Sequence, residues 1–125
     1  MQDTTMIYHH NEHRDWMSKI NFYQDEIKIF QSTLSKVIQA HPDIFSIIDL
    51  VHEYRRILLR KLEKLDNMRY QIALHEHQLA KAKDDAENDQ LWDHQEVRDR
   101  MINFESEFES FKSALRHFAS KHIKE

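Results

Sequence analysis

Glycine and cysteine are absent from this chain of 125 residues, and Pro42 is its only proline. Without glycine, turns that need a positive φ lose the residue that adopts one at least cost, and strand-rich folds need many such turns. The chain should therefore be nearly all helix, with very few connections. Without cysteine there are neither disulfides nor thiolate metal sites, which suits a reducing cytoplasm. No apolar run approaches the roughly 18 residues of a membrane span, and Met1-Gln2-Asp3-Thr4-Thr5 lacks the basic and apolar regions of a signal peptide. A strong charge of one sign is also missing. The formal net charge of −4 favours solubility and gives no general attraction to nucleic acid or anionic membrane. The length suits one domain covering 1–125.

What is present is heptad periodicity. Stepping by sevens from Ile44 gives Val51, Leu58, Leu65, Ile72 and Leu79, apolar throughout. Stepping from Ile47 gives Tyr54, Lys61, Met68, His75 and Ala82, while Ile48, Leu50, Ile57 and Leu62 widen the stripe. One long helix carrying such a stripe needs partners. An earlier seam alternates four and three through Trp16, Ile20, Tyr23, Ile27, Phe30, Leu34 and Val37. A later one runs Val97, Met101, Phe104, Phe108, Phe111, Leu115 and Phe118, with His94 and His122 at its ends. These patterns predict an all-α fold: an elongated antiparallel three-helix bundle with coiled-coil-like heptad packing, its helices at about 8–40, 43–83 and 89–122. Spectrin-type repeats resemble this arrangement, including a tryptophan placed as Trp16 is, but the likeness covers no motif.

His41-Pro42-Asp43 should end the first helix, because proline lacks an amide proton and pushes its predecessor out of the α region. Asp43 or His41 can then cap the second helix. The next break is expected within 84–89, where Asp84 with Glu87, or Asn88 or Asp89, offers a cap. The alternative is one unbroken rod that needs a partner chain. Charge supports pairing. Residues 84–109 carry ten acids against Arg98 and Arg100, and residues 55–69 carry six bases against Glu63 and Asp66. An antiparallel pair would set Arg60, Lys61, Lys64 and Arg69 beside Glu105, Glu107 and Glu109, and Arg55 and Arg56 near Asp25 and Glu26.

Ten histidines invite a metal reading. His9 and His13 in HHNEH share one helix face at i, i+4 and can chelate a divalent ion. The zinc-protease pattern fails, because His10 rather than Glu follows the first His. Repeated Glu-x-x-His is absent too, and His75 and His77 diverge around a helix. Most histidines are accordingly expected at the surface or its boundary.

His41-Pro42-Asp43, with Phe45, Ile48 and Tyr54-Arg55-Arg56-Ile57-Leu58, resembles the signature and following helix of J-domain co-chaperones. Ile44 nevertheless starts the apolar stripe at once, and the preceding helix carries Asp25, Glu26, Gln31 and Ser35 where that family is basic. The tripeptide therefore reads as a helix stop.

Arg55 to Arg69 could offer a nucleic-acid surface, but intramolecular acids are available to it. No phosphate loop is possible without glycine, and no nucleophile motif occurs. Phe22 and Ile29 lie one heptad apart off the first seam and form a short apolar stripe that a second helix could cover. The sequence thus reads as a non-enzymatic, cytoplasmic bundle acting through protein–protein interaction or homodimerisation via Phe22 and Ile29. It has no cofactor, nucleic-acid, membrane or small-molecule partner in this reading. The alternative is a metal-binding or sensing bundle using His9 and His13. A weaker one is a nucleic-acid-associated bundle using the basic face.

Overall fold

The computed structural model describes the backbone over 2–81 and 87–123 and the side chains over 8–78 and 94–123. Three helices make up the fold: α1 (Gln2–Ala40), α2 (Phe45–Lys81) and α3 (Glu87–His122), with no strand among the described residues. Each helix contacts the other two, forming a helical bundle. Partners run in opposite order along α1 and α2, from His13 with Glu76, through Gln24 with Asp66, to Ser35 with Arg55. Along α1 and α3 they run in the same order, from Glu12 with Arg98, through Lys19 with Glu105, to Glu26 with Lys112. Because α2 and α3 also pack together, they are not one continuous rod. The placement of their turn within 84–89 falls partly on 82–86, outside the described residues.

The seams form the core. Trp16, Ile20, Tyr23, Ile27, Phe30, Leu34 and Val37 of α1 are buried, as are Ile47, Val51, Leu58, Leu65, Met68 and Ile72 of α2. From α3 come Val97, Met101, Phe104, Phe108, Leu115 and Phe118, with Phe111 and Tyr54 partly buried against them. One charged residue enters this core. Lys61 keeps its heptad place with its ammonium over the rings of Phe111 and Phe104, 5.2 and 5.7 Å from their centroids. Burial pushes its pKa down, and Glu107 opposes that shift.

The first connection differs in detail from expectation. Pro42 stops α1, and the His41 amide closes the last turn on the Val37 and Ile38 carbonyls. The cap position of α2, however, belongs to Ile44, whose carbonyl accepts the Ile47 and Ile48 amides at 3.1 Å. Asp43 sits one residue too early for that place. Ile44, Phe45 and Leu50 are exposed, so the stripe begins at Ile47. His41 instead reaches across and donates from Nε2 to the His122 carbonyl at 2.6 Å, tying the turn to the end of α3.

Charge pairing is redistributed as well. Lys64 meets Glu107 at 3.6 Å, but Arg69 donates to Asn21 and Gln24, and Glu105 receives Lys19 of α1. Arg55 donates to Ser35, Arg56 lies beside Glu53, and Glu26 is held by Lys112 and Arg116. The reason is register. A short connection near Pro42 puts Asp25 and Glu26 opposite the mid-60s of α2, a full three turns from Arg55.

Leu65 is fully buried in mid-seam. Leu65→Ala should lower stability by about 2–5 kcal/mol through lost transfer energy and the cavity left behind. Thermal and urea unfolding followed by circular dichroism measure it, and a loss below about 0.5 kcal/mol would contradict its place in the core.

Candidate metal centre

The α1 seam does not stop at Trp16. Counting back by three and then four reaches His13 and His9, and both are buried. The helix itself runs back to Gln2, earlier than the expected start near residue 8. On α2, His75 follows Ile72 by three, and on α3, His94 precedes Val97 by three. All three helices therefore place an imidazole in one layer of the bundle. His13, His75 and His94 are all buried, and one ligand atom from each lies within 4.8 Å of the others. Trp16 closes the layer on its core side, 5.5 Å from the His13 ring and 4.9 Å from His94.

Two carboxylates orient the rings. Glu76 of α2 accepts His13 Nδ1–H at 2.6 Å and His10 Nδ1–H at 2.9 Å. Glu12 of α1 accepts His94 Nε2–H at 2.6 Å. It is clamped by Arg98, whose Nε and second guanidinium nitrogen donate to its two oxygens at 2.7 and 2.8 Å. Burial works against the Glu12 charge, yet Arg98 and His94 hold its pKa down to about 2. Burial likewise opposes the Glu76 charge, and its hydrogen bonds from His13 and His10 prevail to lower its pKa. An ionised carboxylate only accepts, so the ring nitrogen facing it carries the proton. The proton of His13 is then on Nδ1 and that of His94 on Nε2.

The remaining nitrogens, His13 Nε2 and His94 Nδ1, face each other at 3.1 Å. With both rings neutral, this contact brings two lone pairs together and has no hydrogen to share. A proton or a metal cation relieves it. At His94 burial pushes the pKa down to about 4 against the pull of Glu12 and with the help of His9 and His13, so a shared proton would belong to the His13 side of the contact. A metal suits the geometry. Zinc–imidazole bonds of about 2.0–2.1 Å in a tetrahedron place two ligand nitrogens about 3.3 Å apart, close to the 3.1 Å observed. Carboxylate–histidine pairing is also the arrangement that fixes the tautomer of a metal-ligating imidazole and raises its basicity.

Of the residues singled out in the sequence, His13 enters this cluster and His9 stands beside it. The His9 ring stacks on His94, with centroids 3.8 Å apart and planes 12° apart. Burial, then His13, lowers its pKa. Most of the ten histidines do lie at the surface or its boundary, but His9, His13, His75 and His94 are buried, because each continues a seam inward. His77 does diverge from His75 and is exposed. The missed members, His75 and His94, carried a readable signal: both are in phase with their heptads. Phe22 and Ile29 lie elsewhere on α1, exposed to solvent. Comparison of the chain with protein-family models, with curated proteins and with solved structures gives no match.

Proposed function

We propose that this chain is a metal-binding helical bundle that holds one divalent transition-metal ion through His13, His75 and His94. The observation that carries the reading is the pair of carboxylate-oriented imidazoles whose remaining nitrogens face each other at 3.1 Å. Neutral nitrogen donors without thiolate favour zinc, copper, nickel or cobalt over magnesium or calcium. Glu12 and Glu76 offset the charge of the ion without ligating it. With one ligand per helix, binding tightens the end of the bundle, and the metal stabilises the folded chain by mass action. This is a binding or sensing role rather than a catalytic one. A cytoplasmic setting fits the cysteine-free composition. Among the described residues no helix is long and apolar enough to cross a membrane.

Zinc titration of the chelator-treated chain by calorimetry should give one sub-micromolar site per chain. His13→Ala, His75→Ala and His94→Ala should each remove it, and Glu12→Gln or Glu76→Gln should weaken it about 10–100-fold. Far-UV circular dichroism checks that each variant is helical. Binding that survives His75→Ala and His94→Ala but is lost in His9→Ala with His13→Ala would replace this centre by an N-terminal chelate. No binding by the wild type would end the metal reading.

A second reading, self-association, is favoured by Phe22 and Ile29, which are 56 % and 63 % exposed and one heptad apart. These two residues would form a homodimer or partner contact. Sedimentation equilibrium at about 100 µM should then show a dimer, and Phe22→Ser with Ile29→Ser should yield a folded monomer. A monomeric wild type sinks this reading.

A further inference from the structure

A divalent ion of this class takes at least four donors, and the three histidines supply three. Neither nearby carboxylate is placed to complete the set. Glu12 is engaged by His94 and Arg98, and Glu76 by His13 and His10. The His9 ring lies face to face with His94 at 3.8 Å, too close for its in-plane lone pairs to converge with those of His94 on one ion, whereas the His75 ring, equally parallel to His94, stands 5.9 Å away.

A cleft between α2 and α3 reaches the cluster. It is an open cleft of about 190 Å³ lined by Gln71, Leu74, His75, Gln78, Glu96 and Val97. His75 thus belongs both to the cleft and to the ligand cluster. Gln71 lies one turn before His75 on the same face of α2. Its side-chain oxygen Oε1 is buried and finds no hydrogen-bond donor among the described residues. At the cleft wall, Glu96 is neutralised by Arg100 at 2.7 Å. The volume is several times the roughly 30 Å³ share of a water molecule, and below the roughly 300 Å³ at which pockets for drug-sized ligands begin.

From this arrangement, resting on the metal reading above, we infer that the open coordination position of the ion faces the cleft and takes an exchangeable small ligand. At rest that ligand is water or hydroxide, and its proton is accepted by Gln71 Oε1. A small anion can enter through the cleft and replace it. The acceptor explains the buried oxygen of Gln71, and Leu74 and Val97 line the cleft through which the ligand enters.

The experiment uses the full chain loaded with Co²⁺, whose visible bands report coordination, and azide as the entering ligand. The expected result is a Co²⁺ spectrum that azide changes saturably. Leu74→Trp, which fills the cleft, should keep the Co²⁺ bands and lose the azide response. Gln71→Leu, which removes the acceptor that holds water, should tighten azide about fivefold, the value of one hydrogen bond. Co²⁺ bands in the wild type that azide leaves unchanged would overturn the inference while the metal centre stands. Absence of Co²⁺ bands would overturn both. Water-proton relaxation by the Cu²⁺-loaded wild type decides the same point without a substitution: enhancement by an exchanging inner-sphere water supports the open position, and its absence refutes it.

Discussion

Two imidazole nitrogens 3.1 Å apart inside a helical core set the terms for the surrounding structure. Each ring is pinned from behind by an anion, and each anion comes from a different helix than the ring it holds. Glu12 of α1 holds His94 of α3, and Glu76 of α2 holds His13 of α1. Arg98 then fixes Glu12 from the outside. A buried polar network of this kind strengthens its own hydrogen bonds in low dielectric, and any member left unmatched is costly there. The helices are thus registered at this end by directional bonds as well as by side-chain packing.

The rest of the bundle is organised differently. Beyond Trp16 the interior is aromatic: Tyr23 packs at 5.3 Å from Phe104 and 4.9 Å from Phe108, and Phe104 and Phe108 stack at 5.7 Å. Lys61 lies over Phe104 and Phe111, where the negative ring faces compensate a charge that burial disfavours. At the far end the His41 bond to the His122 carbonyl secures the α1–α2 turn against α3. The two ends of one elongated core therefore do different work. One is a hydrocarbon and aromatic assembly that supplies stability, and the other is a polar layer whose geometry exceeds what packing requires.

Much of this was legible in the sequence. Absence of glycine and the three heptad seams gave an all-helical bundle, and Pro42 gave its first break. The seams also contained the site, since His13, His75 and His94 occupy the same phase as the hydrophobic residues beside them. What hid it was separation along the chain. His13 and His94 are drawn together by the register of three helices, and no local spacing reports that. Adjacency in the sequence does not report the pairing either, because the carboxylates of Glu12 and Glu76 each serve a ring on another helix. The Arg55 and Asp25 pairing failed for the related reason that register along α2 follows from the short connection near Pro42, and complementary charge alone does not set it.

If the three imidazoles hold an ion as proposed, placing one on each helix also has a consequence for biosynthesis. The ribosome delivers His13 first, His75 much later and His94 last. When α1 and α2 have folded against each other, the nascent chain offers two imidazoles and Glu76, while His94 and the cleft wall at Val97 are still to come. Two donors hold a divalent ion weakly and release it readily. Under the proposed metal reading, high affinity would arise only when α3 closes on the pair, and a product that ends before α3 would be left as a two-armed chelator.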